Sequence, residues 1–303
     1  MTLQGIIAAT VLPFGENGSP DLETYQGFVE HLVQAGVGGL AINADSGEGM
    51  SLWPEERRAV MRAAREVAKG RVPLVSGLVA SFTAQAQRLA EEAAEDGADY
   101  LMVFPNVHMR GHPLDPELPR RYYEAIHRAC GLPLVAFVLQ DALGGVEFER
   151  EALLGIVSLP FVKAVKEATF DAYKFRHTMD AIRQCRQDCA VLTGNDNFIY
   201  ESFILGADGA LIGAGSIATR LQVEMFEAVR AGNYRQAAAI YEKLEPLMRV
   251  LFAPPIRDYR ARIKEGLVML GIFKDARVRE PLLPVGREER EAIRAALIQA
   301  GLL

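Results

Sequence analysis

The chain has 303 residues, half of them hydrophobic, with a formal net charge of −6 and three cysteines. That is enough apolar material for one barrel-sized domain with an appendage. It carries no basic run or basic–aromatic face of the kind that follows a phosphate backbone, which argues against nucleic-acid binding. No apolar stretch is long enough for a bilayer helix, and no basic-then-apolar leader opens the chain. Cys130, Cys185 and Cys189 lack metal spacing, as expected of free thiols in a reducing compartment. The expectation is a soluble cytoplasmic protein.

Apolar runs, loops and amphipathic stretches alternate every thirty to forty residues along the chain. Strands are predicted at residues 5–11, 38–43, 72–76, 100–104, 132–138, 161–166, 190–193 and 208–212. Each is nearly continuous in apolar residues, as a strand covered on both faces requires. Between them, Ser19-Pro20-Asp21 signals the first helix start. Leu22, Tyr25, Phe28 and Leu32 mark its inward face, and Gly36 its end. Pro54-Glu55-Glu56 opens a second helix that Gly70 closes. Thr83 opens a third, with Ala86, Leu89 and Ala93 inward and Gly97 at its end. Eight such units predict an α/β fold, a (β/α)8 TIM barrel with a C-terminal helical extension. An open dinucleotide-binding sheet would need a glycine-rich turn after the first strand, where Leu12-Pro13-Phe14 stands instead. The barrel is assigned to residues 1–232 and the extension, broken at Gly232-Asn233, Pro254-Pro255 and Pro281 to Pro284, to 233–303.

In a parallel barrel the chemistry lies at the carboxyl ends of the strands. Lys166 closes the sixth predicted strand, and counting by twos puts it on one face with Val162 and Ala164. A lysine is costly to take out of water, so one placed there either snorkels to solvent or serves as a desolvated amine able to attack a ketone. After strand two, Asn43-Ala44-Asp45-Ser46-Gly47-Glu48-Gly49 offers a hydroxyl and freed N–H groups. That suits a carboxylate cradle, and equally an ordinary strand-to-helix turn. Gly194-Asn195-Asp196 follows strand seven, and Gly213-Ala214-Gly215-Ser216 follows strand eight at a helix start. The long loop 105–116 could cover the mouth; its His108 and His112 are weak metal-ligand candidates, and no metal site is assigned.

Several of these segments together resemble the dihydrodipicolinate synthase / N-acetylneuraminate lyase family of class I aldolases. Asp45-Ser46-Gly47-Glu48 is similar to its Thr-Thr-Gly-Glu turn, and residues 70–77 to its third-strand entry. Lys166-Glu167-Ala168-Thr169 matches its Schiff-base lysine motif. Gly194-Asn195-Asp196 resembles Gly-Asp-Asp, and Gly206-Ala207-Asp208-Gly209 its run into strand eight. The order and spacing hold along essentially the whole chain. The resemblance implies that Lys166 is a covalent nucleophile toward a 2-oxo acid, with no cofactor, in a homo-oligomer, tetramer or dimer. The expected substrate contacts are Ser46, Gly47, Asn106, Gln140, Ile212 and Gly213.

The departures bear on the reaction. The family's strand-five tyrosine, a proton relay, falls on Phe137, which can neither give nor take a proton. The synthases' carboxylate-binding arginine falls on Ala142 and the neighbouring threonine on Leu143. The tyrosine pair after strand four falls on Asn106 and Val107, the first threonine of the strand-two turn on Asp45, and the threonine after strand one on Leu12. Gln140-Asp141-Ala142 is similar to the Gln-Asp-Ala of 2-keto-3-deoxy sugar acid dehydratases. A substitute proton shuttle is therefore expected among Asp45, Asn106, His108, Gln140 and Asp141, with Asp45 favoured. The expected activity is that of a pyruvate-type aldolase or a 2-keto-3-deoxy sugar acid dehydratase. 4-Hydroxy-tetrahydrodipicolinate synthase-like activity, a non-catalytic sugar-acid-binding barrel and a metal-dependent aldolase are the alternatives.

Overall fold

A computed structural model describes residues 3–303. Each of the eight apolar runs forms a parallel strand: β1 (Gly5–Ala9), β2 (Gly39–Ile42), β3 (Leu74–Leu78), β4 (Tyr100–Val103), β5 (Leu134–Leu139), β6 (Val162–Ala168), β7 (Ala190–Thr193) and β8 (Gly209–Ile212). They pair in chain order and β8 closes on β1, a TIM barrel. One apolar side chain from each strand, Ile7, Ala41, Val75, Met102, Val135, Ala164, Leu192 and Leu211, packs inside the cylinder. Side chains of the opposite parity face the helices. Two clusters form there: one includes Ile6, Leu40 and Ala210, the other Leu101, Leu134 and Val165. Burial on both faces explains why the strands read as unbroken apolar runs.

Several strand bounds need correction: β1 ends at Ala9 rather than Val11, and β5 runs Leu134–Leu139 rather than over 132–138. β3 starts at Leu74 rather than Val72, because Pro73 has no N–H to give a ladder, and it continues to Leu78. β6 runs on to Ala168, so Lys166 lies two residues inside its end. Glu167 and Ala168 are held by pairing with Val138 and Leu139. Val162 does not share the face of Lys166: it packs in the outer cluster while Ala164 faces inward. The cause is a register irregularity. Leu134 pairs with Val162 but Val135 pairs with Ala164, leaving Lys163 as the extra residue of a bulge, exposed to solvent.

The helices that follow β1 to β7 are α1 (Leu22–Gln34), α2 (Pro54–Ala68), α3 (Thr83–Glu95), α4 (Glu117–Cys130), α5 (Arg150–Val157), α6 (Ala172–Cys185) and α7 (Ile199–Ile204). Asp21 is itself the cap of α1; its carboxylate accepts from the Thr24 N–H at 3.1 Å and the Thr24 hydroxyl at 2.7 Å. α2 begins at Pro54 as expected, and the Glu56 side chain accepts from the Trp53 N–H at 2.8 Å.

After α8 (Thr219–Arg230) come α9 (Tyr234–Leu251), α10 (Tyr259–Met269) and α11 (Arg287–Gln299). α10 is buried along most of its length, charged residues included. Arg262, 2% exposed, donates to the carbonyls of Leu251 and Ala253 and pairs with Glu289. Lys264, fully buried, forms an ion pair with Glu48 in the strand-two turn, and it also donates to the Arg277 carbonyl at 2.9 Å. Glu48 is completed by the Arg279 N–H at 2.9 Å. These bonds anchor the C-terminal helices to the carboxyl-end mouth of the barrel. Among the described residues no helix is long and apolar enough to cross a membrane.

Candidate active site

Lys166 sits in the barrel interior, 9% exposed, level with Phe137 of β5 and Leu192 of β7. Its Nζ lies 4.2 Å from the centre of the Phe137 ring, which is braced edge-on by Phe104 at 5.0 Å. Gly194, just past β7, leaves the room the lysine needs. A Cβ there would stand 2.7 Å from Lys166 Cε and 2.9 Å from Ala168 Cβ. Burial pushes the amine down from 10.5 to about 8, against the nearby negative charges of Asp196 and Asp45, which favour the ammonium. At neutral pH roughly one amine in ten is then free, against about one in three thousand for an ordinary lysine.

Asp196 is the nearer of the two carboxyls in effect. It is buried and accepts from the Ala214 N–H at 3.0 Å. Burial raises it to about 7, opposed by the Ala214 N–H and by Lys166. It also lines a cavity of about 320 Å3 that runs under α9 to Phe252, Ala253 and Pro254. The next residue of the lysine motif, Glu167, points the other way, out of the barrel. There it takes a 2.7 Å hydrogen bond from Asn195 Nδ2, and burial raises its pKa. Asn195 also holds the Phe170 N–H at 2.7 Å, so its role is to fix the loop after β6.

The strand-two turn is rigidly built. Arg57 donates to the carbonyls of Gly49 and Gly77 at 2.7 Å each, and Asn43 Nδ2 donates to the Arg57 carbonyl at 3.0 Å. Within it Ser46 is buried. Among the described residues the N–H groups of Ser46 and Gly47 have no protein acceptor, whereas those of Glu48 and Gly49 are taken by the Asp45 and Ala44 carbonyls. Two adjacent free donors beside a hydroxyl suit a carboxylate. Asp45 is half-exposed, and its carboxylate is held by Arg260.

Sequence reading missed what closes this side of the mouth. The hydroxyl of Tyr259, the first residue of α10, donates to Asp45 Oδ2 at 2.9 Å and lies within hydrogen-bond distance of Ser46 Oγ at 3.1 Å. Arg260 donates to the Asp45 carbonyl at 2.7 Å as well as pairing with its side chain. Gly213, after β8, lies against this group: a Cβ there would meet Tyr259 Cε2 at 2.9 Å and Ser46 Oγ at 3.2 Å. Lys166, Phe137, Asp45, Ser46, Gly47 and Gly213 thus line the carboxyl-end mouth.

Other expected contacts are placed differently. Ile212 is fully buried in the outer cluster, turned toward the helices because Leu211 takes the inward position of β8. Asn106 spends both ends of its amide on backbone groups, donating to the Ala80 carbonyl in the loop after β3 at 2.8 Å and accepting from the His108 N–H of its own loop at 2.9 Å. The Gln140 side chain is half-buried with no hydrogen bond among the described residues, and Asp141 is exposed. His108 is exposed, while His112 pairs with Glu149 at 2.9 Å. The loop after β4 leans on the loop after β5 through Arg110 and the Gly144 carbonyl. A roomier cavity, about 770 Å3, is lined by His31, Arg220 and Lys243 among the helices and by Ser216 after β8; it includes none of Lys166, Phe137, Asp45, Ser46, Gly47 and Gly213.

The chain matches the dihydrodipicolinate synthetase family over residues 2–300. A 4-hydroxy-tetrahydrodipicolinate synthase of Moorella thermoacetica is 30% identical over 298 residues, 98% of each chain. That of Maridesulfovibrio salexigens is 28% identical over 303 residues, 100% of each. Among solved structures, dihydrodipicolinate synthase from Thermotoga maritima superposes with a TM-score of 0.90 at 26% identity, covering 100% of both chains. The chloride-inhibited dihydrodipicolinate synthase from Acinetobacter baumannii, solved with pyruvate, gives 0.88 at 27% identity, again over 100% of both.

Proposed function

The chain belongs to the dihydrodipicolinate synthetase family, and from that premise we propose that it is a lyase whose Lys166 forms a Schiff base with a pyruvate-type 2-oxo acid. The observation that carries this reading is the amine itself, sealed in the barrel mouth against Phe137 and brought to about 8 by burial. The free amine attacks the keto carbon, and loss of water leaves a protonated imine. That imine draws electrons from C3, so a C3 proton or a C3–C4 bond can be broken. The free N–H groups of Ser46 and Gly47 hold the substrate carboxylate. Asp45 takes or returns the proton that the family's tyrosine would handle, Phe137 having no hydroxyl.

The second half of the reaction differs from that of the named relatives. Ala142 and Leu143 stand where the synthases' arginine and threonine are expected from the resemblance, and both are exposed. Neither side chain can bind a second carboxylate. This favours aldol cleavage or dehydration of a 2-oxo-3-deoxy sugar acid over condensation with an amino-acid semialdehyde. The same reading makes the protein a cytoplasmic homo-oligomer that acts on a small anionic substrate without a cofactor. The test is turnover of a panel of 2-oxo-3-deoxy sugar acids and of pyruvate with aldehydes. Turnover of a sugar acid and none of pyruvate with aspartate semialdehyde is expected; the reverse pattern refutes the substrate class.

A further inference from the structure

We infer that Tyr259, delivered by the C-terminal extension, joins Ser46 to Asp45 in a proton relay that replaces the hydroxyl absent at Phe137. The inference rests on the Schiff-base reading above and adds the path by which its protons move. Three oxygens stand in one hydrogen-bonded row: Ser46 Oγ, 3.1 Å from the Tyr259 hydroxyl, and that hydroxyl 2.9 Å from Asp45 Oδ2. A phenol has one proton to give. When it donates to the Asp45 carboxylate, its oxygen is free to accept from Ser46, so the row is polarised outward from the mouth toward Asp45. The Asp45 side chain is 42% exposed, so the outer end of the row reaches solvent. The inner end, Ser46, is 3% exposed and lies against Gly213 at the mouth.

The groups around the phenol fit a relay. Its ring stacks on Phe252 at 5.3 Å and 20°, and the Arg260 guanidinium lies 4.9 Å from the ring centre. The charged groups facing the hydroxyl are Asp45, from the strand-two turn, and Arg260, from its own helix. Burial and the Asp45 carboxylate both push the phenol well above its usual range, so it keeps its proton and can only exchange one for another. In the imine, the C3–H electron pair moves into the C2–C3 bond and neutralises the iminium. The released proton goes to Ser46 Oγ as the Ser46 proton passes to Tyr259 and the Tyr259 proton to Asp45. One proton crosses from carbon to carboxylate, and every oxygen but the last is restored. Reversal returns it. Tyr259 touches no substrate and acts through Ser46, so it is a positioning and relay residue.

The test uses pyruvate in heavy water, following loss of its methyl proton signal by NMR. A parallel measurement is the fraction of Lys166 trapped by borohydride at equilibrium. The full-length protein should exchange the methyl protons, and Lys166→Met should not. Tyr259→Phe keeps the ring and its stack. It should slow exchange by about 100-fold or more, the usual size of a lost acid–base group, while trapping at equilibrium is unchanged. Asp45→Asn removes the terminal acceptor and should slow exchange similarly. It carries the test if Tyr259→Phe proves unstable on heating. Exchange at the original rate in either variant overturns the relay while leaving the Schiff base intact. Loss of trapping together with exchange in Tyr259→Phe also overturns it, since the hydroxyl would then only shape the site. Absence of trapping in the unaltered protein removes the Schiff base and the relay with it.

Discussion

Gly194→Ala probes how closely the barrel is fitted around its lysine. The new Cβ would stand 2.7 Å from Lys166 Cε, 2.9 Å from Ala168 Cβ and 3.2 Å from the Glu167 carbonyl. Non-bonded carbons settle at about 3.5–4.0 Å, so the lysine Cε must retreat by roughly 1 Å. Ala168 cannot yield in its place: it is on a strand paired on both sides, and the Gly194 N–H is itself held by the Glu167 carbonyl at 2.6 Å. The retreat carries Nζ off its station over Phe137. A misplacement of that size costs about 100-fold in rate where the reacting atom is concerned, and overpacking costs about 1–3 kcal/mol. The assay is the rate of borohydride trapping of pyruvate, with urea denaturation alongside. Trapping at an unchanged rate with an unchanged denaturation midpoint would refute the claim that Gly194 makes room for the amine.

The buried amine should also register in stability. Its fall from 10.5 to about 8, at about 1.4 kcal/mol per unit, corresponds to about 3 kcal/mol against the folded state while the lysine is protonated. Below pH 8 both folded and unfolded forms carry the proton and the full penalty applies. Between 8 and 10.5 only the unfolded form keeps it, so this contribution makes stability rise with pH. Lys166→Met is therefore expected to unfold at higher urea than the unaltered chain at pH 7, with the gap closing as pH approaches 10; a constant gap would contradict the cause given. Lys264→Ala should be far more damaging. It leaves Glu48 buried without its counter-charge and unpins α10 from the strand-two turn, which costs about 3–5 kcal/mol. Pyruvate trapping should fall with it, and a loss under 1 kcal/mol by urea titration would argue against that anchoring role.

The barrel and its lysine were legible because local pattern carries them. Strands covered on both faces read as apolar runs, and a lysine ending such a run is conspicuous. The face of Val162 was misjudged because a bulge at Lys163 breaks the count by twos, and nothing local announces a bulge. Ile212 was expected among the substrate contacts, yet one residue of parity turned it to the helices. Tyr259 and Arg260 were out of reach for a different reason. They meet Asp45 across 214 and 215 residues of chain. Their helix is buried on most sides, so its Arg262, Lys264 and Glu265 look like a solvated face while serving as internal ties. The distinctive feature of this mouth, a phenol supplied by the extension rather than by strand five, is thus a product of tertiary packing alone.

The central claim is that one particular amine bonds covalently to a keto carbon. Incubation with pyruvate, reduction with borohydride and peptide mass spectrometry tests it most directly. A reduced pyruvate adduct on the peptide carrying Lys166, absent in Lys166→Met, is the predicted result. An adduct confined to exposed Lys163 or another surface lysine, or none at all, would contradict it.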